Sequence, residues 1–265
     1  MLNLRKLTHC TLLSAVMLCA HGVLAMEGAQ KGLEISKEYK SRDTGWGDSS
    51  SEIKMILRNT EGQESIRKIT FNTLEQLSDG DKSLTVFVEP YDLKGTAFLS
   101  FSHPVGADDQ WLYLPALKRV KRISSSNKSG PFMGSEFAYE DLSSFEVQKY
   151  TYNYLGEEEA NGLQSHKIEQ FPVDENSGYK RRIVWIDKEA YRIQKIEFYD
   201  RKDALLKTLT YSGYNKYIEG FWRPDNAKMV NHQSGKSTVL EFYNYQFREG
   251  LSDSDFSQSS LKRLR

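Results

Sequence analysis

The chain alternates apolar and polar residues over most of its length. Ile53, Met55 and Leu57, for example, occupy every second position, with the charged residues Glu52, Lys54 and Arg58 on the other face, which is the pattern of a strand with one buried face. Turn-forming pairs separate such segments, most clearly Asn161-Gly162, which favours a tight hairpin. The pattern predicts an all-β protein of about a dozen antiparallel strands, over residues 52–58, 66–77, 84–89, 96–101, 110–114, 120–124, 146–155, 163–171, 179–186, 192–199, 205–214, 222–231 and 238–247.

Some segments depart from this period-two pattern. Gly28–Lys40 has apolar residues at spacings that suit a short amphipathic helix. Ser125–Ser144 is long and irregular, and a loop of this length in a compact domain is usually functional or disordered. Near the end of the chain, Asp253–Leu264 predicts a short helix capped by Ser252 or Asp253. We therefore expect only minor helices beside the sheet.

The first 25 residues have the organisation of a secretory signal peptide. Arg5 and Lys6 precede an apolar run from Leu12 to Ala20, and small residues surround a cleavage site after Ala25. The apolar run is shorter than the roughly 20 residues that a transmembrane helix needs. We therefore predict cleavage after Ala25, a periplasmic location and one mature domain over residues 26–265.

Cysteine content and charge limit the function of the exported part. Cys10 and Cys19 both lie within the signal, so the mature domain has no disulfide to form. Leu18 is too bulky for a lipidation signal at Cys19. Removal of Arg5 and Lys6 from the 36 basic residues leaves 34 against 36 acidic ones, without the basic excess of nucleic-acid-binding proteins. We therefore expect a soluble protein with no nucleic-acid partner.

The sequence lacks motifs for metal, nucleotide or covalent chemistry. His103, His166 and His232 are widely separated, without the paired spacing of zinc ligands. There is no phosphate loop or dinucleotide fingerprint, and no serine stands in a G-x-S-x-G elbow. A triad assembled from distant strands stays open. We expect no metal, no cofactor and no enzymatic activity, with a lipid hydrolase as the less favoured alternative.

A basic run follows the apolar-aromatic segment Trp111–Leu117. Lys118, Arg119, Lys121 and Arg122 place four positive charges within five residues, which suits contact with lipid head groups or an acidic partner surface. The alternative is a solvated strand edge whose charges prevent edge-to-edge pairing. Both interpretations stay open at the level of the sequence.

The irregular segment carries apolar side chains between glycines. Phe132, Met133 and Phe137 lie within Gly130–Phe137, and exposed Phe and Met often mark adaptable binding surfaces. Alternatively, these residues fold back and plug the mouth of a barrel. A plug that moves is a gate, so we expect charged replacements of Phe132 and Met133 to weaken ligand binding without loss of the fold.

Linked motifs occupy the middle of the chain: Lys94–Leu99 (KGTAFL), Asp109–Ile123 (DQWLYLPALKRVKRI) and Met133–Leu142 (MGSEFAYEDL). Together they resemble outer membrane lipoprotein-sorting (LolA/LolB-like) carriers, and the resemblance extends from about Leu33 to Phe256. It implies an incomplete, half-open antiparallel β-barrel, closed by short helices and loops around an apolar cavity. The resemblance also implies that the protein acts beside an inner-membrane transporter of the resistance-nodulation-division (RND) type and contacts the membrane transiently.

Burial of an acyl chain contributes about 0.8 kcal/mol per methylene, so a carrier needs no covalent chemistry. We expect a protein that passes lipid or lipoprotein acyl chains between envelope components, with an envelope sensor that binds lipid as the alternative. The alternative for each residue of the hypothesised lipid-binding set, and the more common case, is that it only packs in the core. The set is Met55, Leu57, Phe71, Val86, Phe98, Phe101, Trp111, Tyr113, Phe132, Met133, Phe137 and Trp185.

Overall fold

The computed structural model describes residues 26–218 and 220–262, so the predicted signal peptide lies outside the described residues. Helix α1 covers residues 26–42, and the short helix α2 covers Gln258–Leu261. Between them lie strands β1 (Asp48–Arg58), β2 (Glu64–Leu74), β3 (Lys82–Glu89), β4 (Ala97–Phe101), β5 (Asp109–Leu114), β6 (Arg119–Ile123), β7 (Tyr150–Ala160), β8 (Leu163–Pro172), β9 (Tyr179–Asp187), β10 (Ile193–Asp200), β11 (Leu205–Tyr217), β12 (Phe221–Asn231) and β13 (Ser237–Phe247).

The strands form one antiparallel sheet in the order β6-β5-β4-β3-β2-β1-β13-β12-β11-β10-β9-β8-β7. Consecutive strands pair with each other within β1–β6 and within β7–β13, and β1 pairs with β13, so that two meanders join within one sheet. β6 and β7 are the two edges and do not pair, which leaves the sheet open. The predicted all-β fold, an open antiparallel barrel with minor helices, is therefore confirmed.

β1 begins at Asp48 rather than at the predicted Glu52. Ser49 and Ser51 occupy inward-facing positions at its start, and serine gives no apolar alternation for a sequence pattern to detect. The strand signal thus starts later in the sequence than the strand itself.

The C-terminal helix also differs from its prediction. α2 is a single turn that Ser257 caps, since Ser257 Oγ accepts a hydrogen bond from the backbone N–H of Ser260 at 3.0 Å. The predicted cap at Ser252 or Asp253 is wrong, because the Ser252 hydroxyl and N–H both bond to Asp255 in a turn before the helix.

The sheet buries apolar side chains on both of its faces. The main core lies on the inner face, where Phe87 and Phe98 are fully buried together with residues of α1 and of the β6–β7 connection. On the outer face of β3, β4 and β5, a second cluster joins Trp111 to Phe256 and Leu261 of the C-terminal segment. Alternate side chains of a strand can therefore pack into two separate cores, one on each face of the sheet.

The connection from β6 to β7, residues 124–149, crosses the inner face of the sheet, and we call it the plug segment. Phe132 is 1% exposed, with its ring centroid 5.2 Å from that of Phe98 and 5.9 Å from that of Phe87. This burial argues against the expectation that a charge at Phe132 leaves the fold intact, because an unpaired charge is very costly at a buried apolar position.

Polar contacts anchor the plug segment to both meanders. Arg67 Nη1 of β2 donates to the carbonyl oxygen of Met133 at 2.6 Å. On the other meander, the backbone N–H of Glu136 donates to Thr238 Oγ1 of β13 at 3.0 Å. The segment thus bridges the middle of the sheet as well as its two edges.

A buried ion pair completes this anchoring. Lys207 Nζ of β11 lies 2.6 Å from Asp141 Oδ2 of the plug segment, and the two side chains are only 5% and 4% exposed. Asp141 Oδ1 accepts from the Tyr179 hydroxyl at 2.8 Å, and Lys207 also donates to the carbonyl oxygen of Glu136 at 2.9 Å. Loss of one partner would leave an uncompensated buried charge.

Helix α1 packs against edge strand β7. A Cβ atom at Gly32 would lie 3.0 Å from Tyr152 Cβ and 3.3 Å from the backbone nitrogen of Tyr154, so the missing side chain permits this close approach. Further along the helix, the Tyr39 ring lies 5.4 Å from the ring of Phe145 in the plug segment. α1 and the plug segment therefore form one continuous cover over part of the inner face.

We expect Asp141→Ala to lower the free energy of unfolding by about 3–5 kcal/mol, because Lys207 is left charged and buried. Urea denaturation followed by circular dichroism measures the loss. Glu158→Ala is the matched control, since it breaks the more exposed Lys167–Glu158 pair and should cost less than about 1 kcal/mol. Equal losses in the two variants would contradict the anchoring role of Asp141.

Candidate ligand-binding cavity

A cavity of about 390 Å³ lies between the inner face of the sheet, the C-terminal end of α1 and the plug segment. It is the part of the interior that these two covering elements leave unfilled. The plug segment contributes Phe132 and Phe137 to its wall. The central strands supply the rest of its apolar end, namely Ile53, Met55, Ile69, Phe71, Ala227 and Leu240.

Small hydroxyl-bearing residues form another wall. Ser49 and Ser51 of β1, Thr73 of β2, and Ser83 and Thr85 of β3 line the cavity. Because side chains alternate between the faces of a strand, these residues come together on the inner face. Ser49 Oγ and Thr73 Oγ1 lie 2.7 Å apart, so these two hydroxyls satisfy each other. The cavity is therefore apolar at one end and weakly polar along one side.

Arginine and aromatic side chains surround the mouth of the cavity, where α1 ends. The guanidinium carbon of Arg192 lies 4.5 Å from the ring centroid of Trp222. That of Arg223 lies 5.6 Å from the ring centroid of Trp46. Cation–π contacts of this kind hold both groups in place, so the mouth is a built cationic and aromatic rim.

Burial shifts the ionisation of groups around this mouth. Burial raises the pKa of Tyr211 to about 12. Burial also raises the pKa of Asp81 and of Glu146, although the ammonium group of Lys40 opposes both shifts. Lys40 Nζ lies 3.8 Å from Asp81 Oδ2 and 3.1 Å from Glu146 Oε1. Burial thus disfavours the charged forms of these three groups.

The structure brings four of the hypothesised lipid-binding residues to the cavity: Met55, Phe71, Phe132 and Phe137. Phe98 packs in the adjoining core, and Met133 is partly buried against it. Leu57 lines a different pocket, of about 300 Å³, beside the turn that joins β1 to β2. Lipid binding by the four cavity residues stays a prediction.

The remaining hypothesised residues lie on the outer face of the sheet, so the structure does not place them at the cavity. Trp185 packs with Ala160 and Ile183 in an outer cluster. The others belong to the cluster beneath the C-terminal segment: Val86, Phe101, Trp111 and Tyr113. Their alternation correctly indicates a buried face. It does not say which face, because both faces of this sheet carry cores.

Sequence reasoning missed the residues that give the cavity its polar character. Arg192 and Arg223 stand between apolar or aromatic neighbours in strand-like segments, as Tyr191-Arg192-Ile193 and Trp222-Arg223-Pro224. An arginine in such a setting is a usable signal for a partly buried cation. The hydroxyl wall carried no comparable signal, since Ser49 and Ser51 resemble ordinary loop residues.

The basic run lies on edge strand β6 and in the turn before it. Lys118, Arg119, Lys121 and Arg122 are all exposed. Arg122 pairs with Asp109, whereas the other three form no ion pair within the part of the chain that the structure describes. The run is therefore a solvent-facing cationic edge outside the cavity.

The three histidines of the described residues, His103, His166 and His232, do not line the cavity. His103 Nδ1 is 3.0 Å from Asp79 Oδ2 and its Nε2 is 3.4 Å from Asp109 Oδ2, so the ring bonds to two carboxylates near the surface. Over residues 26–218 and 220–262, the structure shows no cluster of three or more His, Cys, Asp or Glu residues suited to a metal ion. No helix in those residues is long and apolar enough to span a membrane.

Solved structures identify the architecture. A LolA superfamily protein from Nitrosomonas europaea matches this fold with a TM-score of 0.69, covering 88% of this chain and 99% of that chain at 20% identity. The open antiparallel sheet around an internal cavity is thus a LolA-like fold.

Two more similar structures define the family. An outer membrane lipoprotein-sorting protein domain from Vibrio parahaemolyticus is 57% identical with a TM-score of 0.87, covering 89% of this chain and 100% of that chain. A DUF1329 family protein from Desulfovibrio piger is 31% identical with a TM-score of 0.83, covering 88% and 99%. The chain belongs to the family that these two structures represent, one described as an outer membrane lipoprotein-sorting protein domain and the other as a DUF1329 family protein. A family model described as "Uncharacterized protein" matches residues 79–263, and no curated protein matches the chain.

The buried phenol of Tyr211 makes stability depend on alkaline pH. Its pKa is raised to about 12, whereas a phenol in an unfolded chain ionises near pH 10. Between roughly pH 10 and 12 the unfolded chain loses a proton that the folded protein keeps, so stability falls as pH rises. We expect Tyr211→Phe to reduce the slope of unfolding free energy against pH in this window by up to about 1.4 kcal/mol per unit.

Urea denaturation at a series of alkaline pH values measures this slope. A slope that is the same with and without the hydroxyl would show that Tyr211 ionises equally in both states, contrary to its burial.

Proposed function

We propose that this protein is a periplasmic carrier that holds an acyl chain of a lipid or lipoprotein in its inner cavity. The apolar end of the cavity, between the central strands and the plug segment, is the observation that carries the proposal. Each buried methylene contributes about 0.8 kcal/mol. The cavity lies near the lower end of the range of roughly 300–1,000 Å³ for ligand pockets, so it suits one chain rather than several.

We also propose where the carrier works. The predicted signal peptide would export residues 26–265 as one lipid-binding domain. The similarity to a lipoprotein-sorting domain supports a place in the cell envelope, and transfer beside an RND-type inner-membrane transporter is our preferred arrangement. No cofactor is required, because transfer consists of binding and release.

The plug segment serves this function as a wall. Phe132 is buried, and the Lys207–Asp141 pair ties the segment to β11, so its displacement would expose apolar surface and break a buried ion pair. The mouth is less firmly closed, since Asp43, beside the end of α1, is partly exposed where it pairs with Arg223 at 2.6 Å. Ligand exchange is therefore expected at the mouth rather than through a moving plug.

The cationic edge has features of a membrane-surface contact. A Cβ atom at Gly95 would lie 3.7 Å from Pro115 Cγ, so the turn before β4 and the turn before β6 lie side by side. These turns present Tyr91, which is 93% exposed, and Leu117, which is 67% exposed. Exposed aromatic and apolar side chains beside Lys and Arg suit the interface of an anionic membrane.

The two alternatives make different demands on the cavity. A lipid hydrolase needs a base beside its nucleophile, whereas on the hydroxyl wall Ser49 Oγ bonds to Thr73 Oγ1 and not to a base. A turnover assay on phospholipid tests this alternative directly. An envelope sensor would bind lipid in the same cavity, and it would show lipid-dependent association with a protein partner instead of lipid transfer.

We expect Ser51→Phe to block the cavity, because Ser51 faces the cavity from β1 and a phenyl ring there would occupy ligand space. The mature protein is purified from a bacterial periplasm, and its lipid content is measured by native mass spectrometry and organic extraction. The wild type should carry about one lipid or acylated peptide per chain, and Ser51→Phe several-fold less. Thr70→Phe is the control, since Thr70 points to the opposite face of the sheet.

Lipid retained at the wild-type level in Ser51→Phe would place the binding site elsewhere. A wild-type protein that is empty and does not take up lipid from vesicles would instead favour the sensor or enzyme alternatives.

We expect simultaneous Lys118→Glu, Arg119→Glu and Lys121→Glu substitutions to weaken binding to anionic phosphatidylglycerol vesicles by about a hundredfold, since each basic residue contributes about 1 kcal/mol at such a surface. Vesicle co-sedimentation measures the change. Binding to neutral phosphatidylcholine vesicles is the control and should not respond. Equal affinity of the wild type for the two vesicle types would rule out the membrane contact and favour edge protection.

A further inference from the structure

Two arginines flank Trp222 at the mouth of the cavity. The Arg192 side chain is 14% exposed and that of Arg223 is 17% exposed. Arg192 lies over the Trp222 ring, while Arg223 Nη1 donates to the Trp222 carbonyl oxygen at 2.9 Å. Both side chains line the cavity. Two largely buried guanidinium groups therefore stand at the point where a chain in the apolar end would emerge.

Asp187 fixes the orientation of Arg192. Its carboxylate is buried and accepts the Arg192 Nε–H at 2.9 Å, together with the backbone N–H groups of Ala190 at 2.8 Å and Arg192 at 2.9 Å. Burial alone would raise the pKa of Asp187, but these hydrogen bonds hold the pKa below its usual value. Asp187 is thus a positioning residue that engages only the Nε side of the guanidinium.

The terminal nitrogens of Arg192 have no acceptor among the described residues, and the same holds for Nε and Nη2 of Arg223. A guanidinium carries five N–H donors in a planar fork, and the two Nη groups of Arg192 offer a pair of parallel donors. Phosphate and carboxylate oxygens match this spacing and form short, charge-assisted hydrogen bonds with it. The unused donors are therefore suited to an oxyanion.

The carboxylates at the mouth do not accept hydrogen bonds from these unused N–H donors. Asp43 meets Arg223 through Nη1 alone, and Asp81 lies beside Lys40. Because Asp43 and Asp81 each have a basic partner, their repulsion of an oxyanion that approaches Arg192 is reduced. The apolar end and the free donors belong to one cavity, so a single amphiphilic molecule can use both.

We propose that Arg192 and Arg223 bind the phosphate or carboxylate head group of an anionic amphiphile whose acyl chain occupies the apolar end of the cavity. This inference rests on the proposed carrier function and names the class of ligand. Arg192 supplies the bidentate contact, Arg223 adds a second cation, and the stacking on Trp222 and Trp46 keeps both groups in place.

The test compares two ligands that share an acylglycerol and differ in the phosphate. Palmitoyl lysophosphatidate and monopalmitoylglycerol, both below their micellar concentrations, compete with the uncharged fluorescent probe N-phenyl-1-naphthylamine for the mature protein. The wild type should bind lysophosphatidate about tenfold or more tightly than monopalmitoylglycerol, as charge-assisted hydrogen bonds imply. Palmitate against hexadecanol repeats the comparison for a carboxylate.

Arg192→Lys keeps a positive charge beside Asp187 and removes the planar guanidinium. It therefore tests the bidentate contact while the buried Asp187 carboxylate keeps a basic partner. We expect it to reduce the preference for lysophosphatidate to about threefold or less. Arg223→Lys should reduce it by a smaller factor. Thermal melting verifies that each variant is folded, and either variant alone keeps the test informative.

Arg181→Lys is the matched control. Arg181 also pairs with carboxylates, Asp203 and Glu169, and it stacks 3.6 Å from the ring centroid of Tyr199. It does not line the cavity, so the preference ratio should stay at the wild-type value. A loss of preference in Arg181→Lys equal to that in Arg192→Lys would overturn the assignment.

The outcomes separate this inference from the carrier function. If the wild type binds both acylglycerols with equal affinity, the head-group site is overturned and the carrier function stands. If neither ligand displaces the probe, the carrier function itself fails, and this inference fails with it. If inorganic phosphate competes as well as lysophosphatidate does, the site binds free phosphate and the amphiphile assignment is overturned.

Discussion

The open sheet is the constraint on which the rest of the molecule depends. β6 and β7 end the sheet without meeting, so it presents unpaired edges and an apolar inner face that must be covered. The segment that has to connect these two strands also crosses the inner face and buries Phe132 and Phe137 there. α1 covers the inner face near β7. The cavity is the volume that these two insertions leave between them.

Polar contacts decide where the plug segment sits. Apolar packing is not directional, so Phe132 alone would not fix the segment at one position along the strands. Asp141 accepts hydrogen bonds from Tyr179 of β9 and Lys207 of β11, while Arg67 of β2 holds the carbonyl oxygen of Met133. These contacts specify one placement across both meanders. The volume of the cavity therefore depends on this buried polar set as much as on the core.

The sequence predicts the strands well because alternation is a local property that each strand carries by itself. It predicts the cavity poorly, because the lining depends on which face of each strand turns inward and on the path of the plug segment. Met55 and Val86 are alternating apolar residues of the same kind, yet Met55 lines the cavity while Val86 packs on the outer face. The apolar neighbours of Arg192 indicate a partly buried cation, but its contacts with Asp187 and Trp222 depend on the fold.

The mixed lining has a consequence for exchange. A carrier must release its ligand, and a purely apolar cavity would favour the loaded state strongly, since each buried methylene adds about 0.8 kcal/mol. Ser51, Ser83 and Thr85 on the hydroxyl wall can hydrogen-bond water when no ligand is present, which lowers the free energy of the empty state. The binding free energy is therefore less favourable than the buried apolar area alone would give. Under the proposed carrier function, the hydroxyl wall would therefore favour release of the ligand.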